Sequence, residues 1–407
     1  MKVVIVGGGL VGLGAAYALQ ARAPHAEIVL CDKERDVGTH QSTHNSGVMH
    51  CGLYYTPGSW KAKFAVRGIR RMKAFAAEHA IASDNCGKLV VATTAAEVER
   101  LRGLYARGQA NGLSGLQWMS GAEAREREPA VRAAAAVLVP EEGIIDYGGV
   151  VAVLKRLLEQ SGVTVKTSAQ LLRARRTAGK WRLAFSSHDE EADAVICCAG
   201  LQADRVARAF GHEPGVQIVP FRGEYFLLRR PELVRHLIYP VPNPRFPFLG
   251  VHFTRLARGG VECGPNAILA LDREGYRRGA FRVADAAETF ASPAIWRFVW
   301  RNFKTTVHEI RRSHSKAVFL ESLRTLVPEL QASDLADGPV GVRAQAMRAD
   351  GSLVEDFSFV EETGVLHVIN APSPAATASL AIGEHIAAKA DALFGISGRG
   401  VLTGDAA

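Results

Sequence analysis

An α/β fold in two parts is expected from three features of the 407-residue chain. Strand-like and helix-like stretches alternate at both ends, a glycine-dense turn separates the first strand from the first helix, and the middle reads as consecutive strands with no helix between them. The first part is a Rossmann-like nucleotide domain assembled from residues 1–85, 145–217 and 338–407. The second is an inserted α+β substrate domain, residues 86–144 and 218–337, carrying an antiparallel sheet.

Lys2 and the apolar run that follows to Leu19 have the outline of a secretory signal. Gly7, Gly8, Gly9, Gly12 and Gly14 interrupt that run, and each costs up to ~1 kcal/mol of helix propensity. The segment therefore reads as a strand, a glycine turn and a helix from about Val11 to Arg22. Further strands are expected at Glu27–Cys31, Lys88–Ala92, Ala194–Cys198, Val219–Leu228, Phe248–Thr254 and Val365–Ile369. Helices are expected at Ser59–His79, Ala95–Asn111, Gly148–Gln160 and Ser373–Leu393, the last with Ser373 as N-cap and Pro374 in the first turn. Hydrophobic residues at 48% and charged residues at 22% describe an ordinary globular chain and exclude disorder and coiled coil. No stretch approaches about 18 consecutive apolar residues, so no transmembrane helix is expected. The six cysteines form no C-x-x-C pair, which argues against a zinc site or disulfide framework and for a reducing, cytoplasmic setting. The net charge of +8 comes without a nucleic-acid motif.

Gly7-x-Gly9-x-x-Gly12 follows a strand and opens a helix, and Asp32 ends the second strand twenty residues after Gly12. Glycines permit close backbone approach to a pyrophosphate, the helix N-terminus offers free N–H groups, and the acid accepts from ribose hydroxyls. The pattern alone fits NAD and FAD equally. The polar stretch Thr39–Gly47 follows the ribose acid where a simple NAD domain would enter another helix, and it favours FAD.

From residue 40 the sequence resembles one family. His40-Gln41-Ser42-Thr43-His44-Asn45-Ser46-Gly47-Val48, Gly52-Leu53-Tyr54-Tyr55, Pro220-Phe221-Arg222-Gly223-Glu224-Tyr225, the Pro-rich segment from Tyr239 to Thr254, Gly341-Val342-Arg343-Ala344-Gln345 and Asn370-Ala371-Pro372-Ser373-Pro374-Ala375-Ala376-Thr377 are similar to the FAD-dependent L-2-hydroxyglutarate oxidases/dehydrogenases, of the D-amino-acid-oxidase-like superfamily. The resemblance implies noncovalent FAD, with Gly7, Gly9 and Gly12 on the pyrophosphate and Asp32 and Lys33 at the adenosine end. It places Ser42, Asn45, Ser46 and Gly47 toward the flavin, and Leu171 as a backbone contact to adenine. Gly200 ends a small-residue strand, and Ser373, Ala375 and Ala376 form a helix start beside the flavin. Where amine- and glycerophosphate-oxidising members carry an arginine, His50-x-Gly52-x-Tyr54 carries Tyr54. The implied reaction is oxidation of L-2-hydroxyglutarate to 2-oxoglutarate, with oxygen or a quinone-type respiratory carrier as acceptor. Another small 2-hydroxy or amino acid as substrate, or a flavin protein without turnover, are the other readings.

Strand alternation puts His252 with Phe248, Gly250 and Thr254 on the face turned away from Leu249, Val251 and Phe253. A histidine of near-neutral pKa suits a base for the hydroxyl proton, and a core histidine is the bland alternative. His50 is the rival base. The resemblance gives Arg343 the C1 carboxylate, for which a guanidinium is the natural partner. Arg245 either holds the distal carboxylate or caps a turn, and Tyr54 and Tyr55 either donate to substrate or pack in a core. Trp296, Phe298, Trp300 and Phe303, interleaved with Arg297, Arg301 and Lys304, are read as buried aromatic packing, with peripheral contact to the inner face of a respiratory membrane as the alternative. No metal site is expected.

Overall fold

Lys2–Val6 is the centre of a six-stranded sheet in this computed structural model, which describes residues 1–242 and 250–398. Glu27–Cys31 and then Thr164–Lys166 lie on one side of it; Ala194–Cys197, Val365–Asn370 and Ser358–Glu362 lie on the other. All pairings are parallel except that of Ser358–Glu362 with Val365–Asn370. Alternate side chains explain the layering. Val3 and Ile5 pack among Leu13, Leu154 and Ile382 of covering helices, while Val4 and Val6 pack against Trp181, Leu183 and Phe185 of a small three-stranded sheet.

The glycine-dense first helix, Leu10–Arg22, runs against the helix Ser379–Phe394 at backbone contact. A Cβ on Gly14 would lie 2.5 Å from the Ser379 carbonyl oxygen, and one on Gly383 would lie 2.2 Å from Gly14. Glycine therefore lets two helices approach; it does not weaken a membrane span. Among the described residues no helix is long and apolar enough to cross a membrane.

Among the described residues the second sheet has nine strands. Lys88–Ala92, Leu237–Pro240, His252–Arg255, Val261–Gly264 and Val216–Leu228 follow one another across it, and Leu335–Arg348 pairs antiparallel along nearly all of Val216–Leu228. The pairings are antiparallel except between Leu237–Pro240 and Lys88–Ala92. Leu335–Arg348 runs across the boundary expected at residue 338. Ile238, Phe253 and Cys263 pack with Phe319 and Leu323 on one face. The opposite face presents Tyr239 and His252.

Two expectations need correction. The last helix starts at Ser379, not Ser373. Residues 373–378 form tight turns, with Ala375 N donating to Pro372 O and Ala378 N to Pro374 O, and the Ser373–Pro374 peptide is cis. Tertiary contacts hold this shape: the Thr377 hydroxyl donates to Val48 O (3.2 Å) and lies 2.9 Å from the Tyr147 hydroxyl. Buried aromatic packing is wrong for three of four residues. Phe298 is buried, but Trp296, Trp300 and Phe303 are 48%, 75% and 54% exposed. Arg245, Phe248 and Leu249 lie outside the described residues.

Candidate active site

A cavity of about 450 Å³ opens where the first helix begins and extends between the two sheets. The turn preceding it depends on glycine twice. Gly7 has φ +105°, and a Cβ there would lie 2.4 Å from the Cys198 carbonyl oxygen; on Gly12 it would lie 1.9 Å from the Gly7 carbonyl oxygen. Gly9 differs. It is the helix N-cap with ordinary extended backbone, and its Cβ would meet only Ser42 Oγ, at 3.2 Å. Of the three fingerprint glycines only Gly9 lines the cavity, together with Leu10 and Val11 of the first helical turn.

Asp32 is fixed by two backbone donors, Gly8 N at 2.7 Å and Glu34 N at 2.8 Å, and each carboxylate oxygen keeps a further lone pair. Asp32 and Lys33 lie outside the cavity lining. The Lys33 ammonium sits among Glu34, Glu274 and His40, so a cation of the protein's own occupies this three-ligand cluster. Leu171 opens a strand two residues beyond Ala169, whose N–H donates to Asp32 O.

The 40–47 loop forms the next wall. Ser42 Oγ accepts from Leu10 N (2.9 Å), and Asn45 donates to Gln41 O and Ser42 O while accepting from Gly47 N. Ser42, Asn45 and Ser46 line the cavity; Gly47 is turned to the strand Gly143–Ile145, where its carbonyl accepts from Ile145 N. Gln41 bridges to the second sheet by accepting from Ala344 N, which places Gly341–Gln345 opposite the loop. Gly200, Ser373, Ala375 and Ala376 complete this end.

His252, His50, Tyr54, Tyr55 and Arg343 all line the far end, joined by Tyr225, Tyr239 and Lys61. His252 Nδ1 donates to Gly250 O at 2.8 Å, which leaves the lone pair on Nε2. Burial pushes its pKa down to about 3; the nearby Lys88, Arg343 and His50 add to that, and the Gly250 hydrogen bond opposes it. The imidazole is neutral at any ordinary pH. Arg343 lies against the Tyr225 hydroxyl, whose pKa burial raises to about 12 against the pull of that cation. Among the described residues the buried Tyr54 hydroxyl has no hydrogen-bond partner, an arrangement that calls for a ligand atom.

Behind this wall lies an ion pair that sequence reasoning missed. Lys88 and Glu142 are both fully buried and paired, and His50 Nδ1 is 3.4 Å from Lys88 Nζ and 3.5 Å from Glu142 Oε2. Burial alone would raise the Glu142 pKa, yet Lys88 and His50 hold it well below the carboxylate range. Burial and Lys88 both lower that of His50.

The cavity thus joins a helix N-terminus, a neutral histidine and an arginine in one enclosure. It suits a pyrophosphate-bearing cofactor at one end and an acid substrate at the other. The unpartnered Tyr54 hydroxyl and the space left by Gly9 both fit such an occupant.

The FAD-dependent oxidoreductase family model matches residues 2–389. L-2-hydroxyglutarate dehydrogenase of Escherichia coli strain K12 is 43% identical over 394 residues, covering 96% of this chain and 93% of that protein. Mitochondrial L-2-hydroxyglutarate dehydrogenase of Homo sapiens is 40% identical over 405 residues, covering 95% and 87% respectively. Among solved structures, dithionite-reduced L-α-glycerophosphate oxidase of Mycoplasma pneumoniae with FAD bound is 20% identical, with a TM-score of 0.78 over 96% of this chain and 94% of that one. That likeness speaks to the fold. The chain belongs to the FAD-dependent oxidoreductase family, in the group of the L-2-hydroxyglutarate dehydrogenases.

Proposed function

We infer that the protein is an FAD-dependent oxidoreductase that converts L-2-hydroxyglutarate to 2-oxoglutarate. The observation carrying the chemistry is a neutral, buried His252 beside Arg343, in the cavity that starts at the helix N-terminus. Bound FAD, held noncovalently, supplies the hydride acceptor for the C2 hydrogen. Gly9 and the N–H groups of the first helical turn that Ser42 leaves free hold the pyrophosphate, Asp32 the adenosine ribose, and the Ser42–Ser46 wall the flavin side. Arg343 holds the C1 carboxylate of the substrate. Tyr54 donates to a substrate oxygen, and Tyr55 and Lys61 face the distal carboxylate. His252 Nε2 takes the hydroxyl proton. A Tyr54 in place of the arginine of related amine and phosphate oxidases favours a hydroxy diacid. Anaerobic mixing with L-2-hydroxyglutarate is expected to bleach the flavin, while glycine and glycerol 3-phosphate leave it oxidised; the reverse pattern would move the protein to another substrate.

A second feature supports a lipid-soluble electron acceptor. Three consecutive helices, Val283–Ala291, Pro293–Arg301 and Phe303–His314, expose Val283, Phe290, Trp296, Trp300, Phe303, Val307 and Ile310. In the third helix the usual arrangement is inverted. Ser313 donates to Glu224 and Glu309 accepts from Ala267 N on the protein side, while the apolar stripe faces out. Residues 277–316 hold nine Lys and Arg against three Asp and Glu, most of the chain's surplus charge. Those acids are engaged internally, by Arg205, Arg273 and Arg312. Aromatic residues with a basic rim are the composition of a face that lies in an anionic lipid surface. This face favours a lipid-soluble quinone over oxygen as acceptor. The protein should sediment with phosphatidylglycerol vesicles and far less with phosphatidylcholine, and Trp300→Ser/Phe303→Ser should lose most of that binding. Equal indifference to both vesicles, or self-association abolished by the same substitutions, would contradict it.

A further inference from the structure

Lys88 and Glu142 lie beyond the cavity lining, and the chemistry above leaves them without a task. Stability alone is a poor explanation. Two fully buried charges cost several kcal/mol each in desolvation, by order of magnitude, and an apolar pair of similar volume often does as well or better. Their neighbours are more informative. The Lys88 ammonium stands 4.2 Å from the centre of the Tyr239 ring and 5.0 Å from that of Tyr54. Tyr239 in turn stacks on His252, with ring centres 3.8 Å apart and planes 20° from parallel. The strand order gives this arrangement: Leu237–Pro240 lies between Lys88–Ala92 and His252–Arg255, so Tyr239 comes from the strand between the ammonium and the imidazole.

We propose that Lys88, held by Glu142, is a positioning residue for the reaction, acting on His252 through the ring of Tyr239. The ammonium is attracted to the aromatic face and fixes the ring, and the ring fixes the plane of the imidazole so that Nε2 stays aimed into the cavity. Glu142 fixes Lys88 in turn, and is itself tied by Cys51, whose N–H donates to Glu142 Oε1 at 3.2 Å. The positive end of the pair faces the two tyrosine rings. With Arg343 and His50, also near His252, it opposes a proton on the imidazole until a dianionic substrate arrives. Neither Lys88 nor Glu142 needs to touch substrate.

This inference rests on the reading of His252 as the base, and the test separates the two. The readout is the anaerobic rate of flavin reduction by L-2-hydroxyglutarate in the FAD-loaded enzyme, with substrate affinity measured alongside. Lys88→Met/Glu142→Gln removes both charges together and keeps an acceptor for Cys51 N–H. It should reduce its flavin about 10²-fold more slowly, the scale of a misplaced reacting group, with FAD content kept and substrate affinity changed less than about threefold. Should that variant lose FAD or fail to fold, Tyr239 decides with the ion pair intact. Tyr239→Leu, which removes the ring, should lose about 10²-fold, and Tyr239→Phe, which keeps it, far less. Equal rates for the Leu and Phe variants, or a double variant within threefold of the parent, would overturn the proposal. His252→Asn serves as the reference: a slow His252→Asn beside a fast Lys88→Met/Glu142→Gln defeats this inference alone, whereas a fast His252→Asn defeats the base assignment beneath it.

Discussion

His252→Ala is expected to slow flavin reduction by about 10²–10⁴-fold, the usual scale for a general base, with FAD still bound. The side chain is far from the glycine turn in sequence and reaches the cavity from the second sheet, so its loss leaves the cofactor end intact. Burial lowers the pKa to about 3, so the neutral, proton-accepting form persists from alkaline pH down through pH 5. kcat/KM, which reports the free enzyme, should therefore show no acid limb near pH 6.5, where an ordinary histidine would produce one. A base this weak in the empty site gains affinity for the proton when two substrate carboxylates enter beside it. Unimpaired reduction in His252→Ala would pass the role to His50, which also lines the cavity.

The second large effect divides the glycine fingerprint. Gly12→Val should fail to fold, because its Cβ would fall 1.9 Å from the Gly7 carbonyl oxygen, a backbone atom that cannot turn aside. Gly9→Val should fold and lose at least about tenfold in FAD occupancy, since its backbone tolerates any residue and its side chain would enter the space where a pyrophosphate must meet the helix terminus. Flavin absorbance relative to protein, with far-ultraviolet circular dichroism as the folding control, separates the two. A Gly9→Val protein that stays fully yellow would place the pyrophosphate elsewhere.

Local pattern carried much of the architecture. The strand–glycine–helix start, the acid Asp32 just after the second strand and the alternation of Val251, His252, Phe253 and Thr254 are short-range signals, and local rules govern them. The buried ion pair is not of that kind. Lys88 reads as the polar first residue of an apolar strand, and Glu142 as one of two acids in a turn. They meet because Lys88 pairs with Val139 in the sheet, which brings the following turn back over the strand. The helix expected at Ser373 failed for the same reason, since Thr377 is held by Val48 and Tyr147 from distant parts of the chain. The aromatic cluster failed differently. Its spacing in Trp296, Trp300 and Phe303 is helical, but spacing states that a stripe exists and leaves open which way it faces.

A cavity that anchors a 2-hydroxy diacid by its carboxylates, with His252 at the hydroxyl and C2–H toward the flavin, must discriminate between mirror-image substrates. Stopped-flow mixing of the FAD-loaded protein with each enantiomer of 2-hydroxyglutarate under anaerobic conditions measures that discrimination. With both carboxylates held, only one hand can present C2–H to the flavin while its hydroxyl meets His252. The L enantiomer should bleach the flavin absorbance rapidly and the D enantiomer should leave it oxidised over the same period; comparable rates for the two, or no bleaching by the L form, would rule out this mode of binding.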